Sequence, residues 1–156
     1  MVQVLFVCLG NICRSPMAEA VLRHQITEAE LADQIAVASV GTGDWHVGQS
    51  AHRGTLDVLR RNQIVHDGRA RQIALHDLEQ ADYVIAMDRD NVAAIRLLDR
   101  DGQFDHKVRL LLDFAPDSGL RDVPDPYYTG SFDQVYDLVV GGCRGLLDHI
   151  RAEHGL

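Results

Sequence analysis

Apolar and polar residues alternate along this chain in blocks that predict strands and helices in turn. Val2 to Val7 is a short β-branched-rich run, the pattern of a strand buried on both faces, and Gly10-Asn11 marks a turn directly after it. Ser15-Pro16 predicts a helix start, with Ser as N-cap and Pro in the first turn, and the helix is expected to reach about Leu31. A second strand is expected at Ile35 to Val40, then a glycine-punctuated loop from Gly41 to Gly48 and a helix around Ser50 to Arg61. Ala81 to Met87 and Lys107 to Leu112 read as two further strands. The clearest element is the last. Phe132, Val135, Tyr136, Val139, Cys143, Leu146, Leu147 and Ile150 share one helical face, and Ser131 with Gln134 predicts a capping box at its start.

Strands that alternate with helices imply an α/β fold, a single doubly wound domain over residues 1–156. Ligands of such sheets sit outside the carboxyl ends of the strands, so the loop after the first strand is the place to look for chemistry. No internal repeat, low-complexity tract or linker divides the chain.

Composition narrows the function. With 156 residues, 46% of them hydrophobic, the chain can bury a core without disulfides or metals. A formal charge of −8 argues against nucleic acid and membrane surfaces as partners, because both are polyanionic. Any anion must therefore be attracted by local geometry. Three cysteines, Cys8, Cys13 and Cys143, are too few and odd in number for a disulfide framework, which fits a reducing, cytoplasmic setting. The apolar run at the N-terminus is too short to span a bilayer and lacks a preceding basic residue. Ala18-Glu19-Ala20 resembles a signal-peptidase site, but Arg14 and Pro16 stand badly before it, so neither membrane insertion nor targeting is expected.

The segment Cys8-Leu9-Gly10-Asn11-Ile12-Cys13-Arg14-Ser15 places a thiol and a guanidinium at the ends of a tight strand-to-helix loop. A loop bent around an anion turns successive backbone N–H groups inward, and the helix behind it adds its positive end. Gly10 and Asn11 tolerate the positive φ angles such a nest requires. Arg14 offers a planar fork that matches two phosphoryl oxygens, which a lysine could not. The same field favours a thiolate, since cysteines at helix N-termini beside cations have pKa values of roughly 3.5–7.5 against about 8.5 for a free thiol. Ser15 is placed to donate a hydrogen bond to that thiolate. The Walker pattern of nucleotide-binding loops is absent.

A thiolate that displaces a phenolate, whose conjugate acid has a pKa near 10, needs a proton donor. Val123-Pro124-Asp125-Pro126-Tyr127-Tyr128 supplies one: two prolines stiffen the loop around Asp125, and two tyrosines can wall a slot for a flat ring. Taken together, Cys-x5-Arg-Ser, Ser39-Val40-Gly41-Thr42-Gly43-Asp44-Trp45, Ala70-Arg71-Gln72 and Asp125-Pro126-Tyr127-Tyr128 resemble the low-molecular-weight protein-tyrosine phosphatases along the whole chain. A nucleophile within the first ten residues, with its acid more than a hundred residues downstream, is highly specific to that family.

The resemblance implies a four-stranded parallel sheet flanked by helices in flavodoxin-like order. It implies hydrolysis of protein phosphotyrosine and small aryl phosphates through a phosphocysteine on Cys8, with Asp125 first as acid and then as base. No metal or cofactor is expected. The resemblance also assigns Leu9, Gly10, Asn11, Ile12, Cys13 and Ser15 to the phosphate loop, and Trp45, Tyr127 and Tyr128 to the slot walls. The partner it implies is a phosphotyrosine protein, with a bacterial tyrosine kinase as one candidate.

One position departs from the family pattern. Many relatives have a histidine three residues before Arg71 that hydrogen-bonds the loop serine, and here Gly68 stands there, which leaves Asn11 or Asp88 to orient Ser15. Cys13 is either a packing thiol or, as the resemblance implies, the partner in a reversible disulfide that makes the enzyme redox-sensitive. Cys143 reads as core, Trp45 as an exposed ring, and the eight histidines as surface or structural residues. Thiol-coupled arsenate reduction is disfavoured because Ile85 to Asp90 carries no cysteine, and phosphoarginine hydrolysis because relatives with that activity have threonine where this chain has Ile12. A binding module without activity would lack the nucleophile, the arginine or the acid, and all three are present.

Overall fold

The fold, described over residues 1–156 in a computed structural model, is organised by β1 (Val2–Cys8), whose side chains alternate between two cores. Val4, Phe6 and Cys8 point into one core with Met17, Val21 and Leu22. Leu5 and Val7 point into the other with Leu78 and Ile95. From Val4 onward β1 is buried on both sides and has no polar face to show, which is why its sequence reads as an apolar run broken only by the exposed Gln3.

The remaining elements are α1 (Arg14–Glu28), β2 (Ile35–Gly41), α2 (Arg53–Arg61), α3 (Leu75–Gln80), β3 (Tyr83–Ala86), α4 (Arg89–Leu98), β4 (Val108–Leu110), α5 (Pro126–Thr129) and α6 (Phe132–His154). The four strands are all parallel, in the order β2-β1-β3-β4. The chain moves outward from β1 to β2, then crosses back to β3 on the other side. The order therefore reverses between β1 and β3, where the loops leaving their carboxyl ends separate and leave a crevice. Cys8 ends β1 and Asp88 follows β3, so both lie at that crevice. α1, α2 and α6 cover one face of the sheet, α3 and α4 the other.

Helix α6 buries Val135, Val139, Cys143, Leu146, Leu147 and Ile150, as its stripe predicts. Several local expectations need correction. Helix α1 starts at Arg14 with Cys13 in the cap position and no side-chain cap, because the Ser15 hydroxyl is drawn into the loop instead. Ser131 does precede α6 but makes no capping hydrogen bond. The strand expected at Lys107 to Leu112 keeps only Val108–Leu110 before it tightens into a 3-10 turn. The sequence reading also did not anticipate α3, α4 and α5.

Candidate active site

Between the end of β1 and the start of α1 the backbone curls through Leu9 to Cys13, with Asn11 in the left-handed region at φ 56°. Gly10, by contrast, does not adopt a positive φ. What it supplies is room: a Cβ there would come within 2.9 Å of the His46 ring. The curl leaves the backbone N–H groups of Gly10, Ile12, Cys13, Arg14 and Ser15 without an acceptor in the protein, while that of Asn11 points at Cys8 Sγ, 3.3 Å away. A cluster of unpaired donors at a helix N-terminus is a cradle for an anion.

Beneath the cradle a polar chain holds the thiol. Asn11 Nδ2 donates to Ser15 Oγ at 2.7 Å and to Ser39 Oγ at 3.0 Å, and Asn11 Oδ1 accepts from the Arg71 N–H at 2.9 Å. Ser39 in turn donates to Glu19 Oε1 at 2.6 Å. Because Asn11 occupies a lone pair of Ser15, the hydroxyl is free to donate its own proton, and Cys8 Sγ at 3.0 Å is nearer than the Val40 carbonyl at 3.3 Å. Asn11 therefore orients Ser15, which answers the question posed by Gly68; Asp88 has another task.

That task is to hold Arg14. The guanidinium is only 3% exposed, and its Nη1 donates to Asp88 Oδ2 at 2.5 Å and to the Val123 carbonyl at 3.1 Å. The same Asp88 caps α4, accepting from the Asn91 N–H at 2.8 Å, so it is fixed before it fixes Arg14. Nη2 reaches Asp125 Oδ2 at 3.3 Å. Burial disfavours the Arg14 charge, but Cys8 and the Asp88 and Asp125 carboxylates more than offset it and raise its pKa above the ordinary value. Arg14 is thus a permanent, pre-aimed cation.

Asp125 caps α5 by accepting from the Tyr127 N–H at 3.1 Å, which leaves its other oxygen facing the cradle. Over these groups opens a cavity of about 340 Å³. Of the twelve residues anticipated from sequence, Cys8, Leu9, Gly10, Ile12, Cys13, Arg14, Trp45, Asp125, Tyr127 and Tyr128 line it, and Asn11 and Ser15 lie behind the loop. Trp45 is 68% exposed, its ring folded over Gly43, where a Cβ would stand only 1.8 Å from it. His46 also lines the wall, 6.2 Å from the Tyr127 ring, a role that sequence reasoning missed. Ser39 and Glu19 were likewise missed as parts of the site, and Asp88, expected only as an alternative partner for Ser15, holds Arg14 instead. The Asp88-x-x-Asn91 cap was the one signal that could have found α4 and with it Asp88.

All three cysteines are free thiols. Burial, then the nearby Asp125 and Cys8 charges, push the Cys13 thiol up to about 12, so it is protonated at neutral pH. Cys143 lies in the core with Sγ 3.7 Å from the Ala18 carbonyl, and burial raises its pKa too.

His66 is an unexpected neighbour of this chain of groups. Its side chain is 4% exposed, and Nδ1 stands 3.9 Å from Glu19 Oε2 with no hydrogen-bond partner. Burial lowers its pKa despite the attraction of Glu19. A histidine whose folded pKa lies below its unfolded value, about 6.5, favours the native state above that pH and loses this contribution as pH falls, because the unfolded chain then binds the extra proton. Urea unfolding at pH 7.5 and pH 5 is accordingly expected to show a larger acid-induced loss of stability for the native chain than for His66→Asn. Equal losses would show that His66 titrates alike in both states.

Comparison with known proteins follows the same lines. The family model described as low molecular weight phosphotyrosine protein phosphatase matches residues 3–155. Low molecular weight protein-tyrosine-phosphatase YfkJ of Bacillus subtilis is 48% identical over 157 residues, covering 100% of both chains. PtpA of Staphylococcus aureus, of the same description, is 42% identical over 150 residues, covering 96% of this chain and 94% of its own. The crystal structure of YfkJ superposes with a TM-score of 0.95 at 47% identity, over 98% of this chain and 96% of the other.

Proposed function

The chain belongs to the low molecular weight phosphotyrosine protein phosphatase family, and we propose that it hydrolyses protein phosphotyrosine and small aryl phosphates through a phosphocysteine on Cys8, without a metal ion. The observation that carries this reading is the ring of unpaired N–H groups around Cys8 Sγ, with Arg14 at its rim and Asp125 beside it.

In the first step the Cys8 sulfur attacks phosphorus while the P–O bond to the phenol breaks, and Asp125 gives its proton to the departing oxygen. The N–H groups and Arg14 hold the equatorial oxygens, on which negative charge is spread in the transition state. An entering phosphate competes with Asp125 for the Arg14 fork and so frees the carboxyl to turn toward the leaving group. In the second step Asp125, now ionised, takes a proton from water; the water oxygen bonds to phosphorus and the S–P bond breaks, releasing phosphate and the thiolate. The Ser15 hydroxyl, aimed at Sγ by Asn11, stabilises that departing sulfur. Trp45, Tyr127 and Tyr128 flank the ring of the substrate. Three free thiols suit a reducing compartment, and no helix is long and apolar enough to cross a membrane.

Phosphate release from a phosphotyrosine peptide in excess EDTA tests this reading. Undiminished turnover is expected; loss that zinc or magnesium restores would refute the metal-free mechanism.

The loop's dependence on Asn11 gives a second expectation. Asn11→Ala removes three hydrogen bonds from a buried site and leaves a Cβ residue at positive φ without the side-chain bonds that favour it, a cost of about 2–4 kcal/mol. Asn11→Gly relieves the φ strain only. In urea unfolding and in p-nitrophenyl phosphate assays the glycine variant should therefore regain part of the stability but little of kcat. Full recovery of kcat by glycine would mean that the hydrogen bonds to Ser15 and Ser39 are irrelevant to catalysis.

A further inference from the structure

Beside the site, a second groove of about 350 Å³ runs between α4 and β4, and four of its nine lining residues are arginines: Arg89, Arg96, Arg109 and Arg121. Asp113 is the only carboxylate among those nine, and its Oδ2 lies 3.4 Å from the Leu110 N–H. On a chain of formal charge −8 this is a local reversal of sign. We propose that this groove docks an acidic, Asp/Glu-rich segment of the phosphotyrosine substrate, on the same polypeptide as the phosphotyrosine held at Cys8; the inference rests on the function proposed above.

The four arginines are not equivalent. Arg89 is tied to Asp122, with Nε and Nη2 within 3.3 Å of its carboxylate, and Arg96 Nε to Asp105 at 3.1 Å. Those pairs fix two guanidiniums along the groove and neutralise most of their charge. Arg109 instead lies over the Phe114 ring, 4.8 Å from its centroid, a contact that holds the guanidinium without cancelling its charge. Arg121 forms no ion pair. One held guanidinium without a carboxylate partner, Arg109, and Arg121, whose charge reaches Asp122 without an ion pair, therefore face a groove whose other lining includes Val92, Ala93, Val108 and Leu110, which suits carboxylates on an extended chain.

The groove is tied to the catalytic centre by covalent neighbours. Arg89 follows Asp88, the residue that holds Arg14, and Asp122, its own partner, is three residues from Asp125, at most about 11 Å of chain. Val123, between them, donates its N–H to the Met87 carbonyl and accepts from Arg14. A substrate whose phosphotyrosine sits at Cys8 can thus reach the groove with a flank of several residues, at about 3.3 Å per extended residue. Charge complementarity of this kind raises encounter rate and selectivity among substrates more than it changes chemistry.

The test compares kcat/KM at low ionic strength on p-nitrophenyl phosphate, a phosphotyrosine peptide with neutral flanks, two peptides carrying six glutamates that begin about five residues before or after the phosphotyrosine, and matching peptides with phosphoserines in place of the glutamates. The native enzyme is expected to prefer one of the acidic peptides by about tenfold, with the advantage shrinking as salt is added. Arg109→Glu/Arg121→Glu should abolish that preference, chiefly through KM, while p-nitrophenyl phosphate turnover stays unchanged. Should the double variant fold poorly, Arg121→Gln and the salt dependence of the native enzyme read the same effect. No preference for either acidic peptide, or a preference that survives charge reversal, overturns the proposal. So does acceleration by a phosphoserine-bearing flank but not by glutamates, which would assign the groove to phosphate. Absence of turnover on all substrates, including p-nitrophenyl phosphate, would instead refute the catalytic reading itself.

Discussion

Replacing Cys8 with serine is expected to lower phosphate release from a phosphotyrosine peptide by at least ~10⁴-fold, the scale seen when a covalent nucleophile is removed. The substitution is gentle in every other respect. Serine is slightly smaller, stays within reach of the Ser15 hydroxyl and the Asn11 N–H that now face Sγ, and leaves the N–H cradle and Arg14 intact. An alcohol, however, is intrinsically a far weaker acid and nucleophile than a thiol, so the attacking atom is lost while the binding site remains. The variant should therefore still bind inorganic phosphate with native affinity, measured by the phosphate-induced rise in Tm. Turnover within tenfold of native would mean that the thiol does not attack phosphorus. Loss of phosphate binding together with turnover would mean that Cys8 shapes the loop rather than reacts.

Asp125→Asn carries the second large effect. The amide can still accept from the Tyr127 N–H and so preserve the start of α5, and Arg14 keeps Asp88 as its partner, so the fold has little reason to change. What disappears is the proton. A cost of about 10²–10⁴-fold is expected on phenyl phosphate, whose leaving group needs protonation, and a much smaller one on p-nitrophenyl phosphate, whose leaving group does not. The measurement is the ratio of kcat values on the two esters, native against variant. Equal losses on both would assign Asp125 to positioning Arg14 instead of to proton transfer.

How much of this was legible beforehand differs from element to element. β1 could be read because its stretch from Val4, buried on both faces, is apolar throughout, and α6 because a long helix against one core repeats its stripe for six turns. α4 could not, since Arg89 to Leu98 buries only Asn91 and Ile95 and its charged face hides the period. The Ser15 and Ser131 caps failed for a common reason: a hydroxyl before a helix has several possible partners, and which one it takes depends on what lies opposite. Ser15 found Asn11 and Cys8, while the Ser131 side chain makes no bond to its helix.

The site divides in the same way. The cradle, the thiol, the guanidinium and the acid were all visible in eight residues near one end and six near the other, because a phosphate loop is made by neighbours and turn chemistry acts over four or five positions. The partners that aim those groups were not. Arg14 meets Asp88 across 74 residues and Asp125 across 111, and Asn11 meets Ser39 across 28. Such pairs are set by strand register and by which loops leave the sheet on either side of the crevice between β1 and β3, and no local pattern encodes them. The sequence alone thus determined which side chains gather at the candidate site, whereas their orientation, the reason Gly68 leaves Ser15 in place, and the arginine groove were decided only when parallel strands brought distant loops to one end of the sheet.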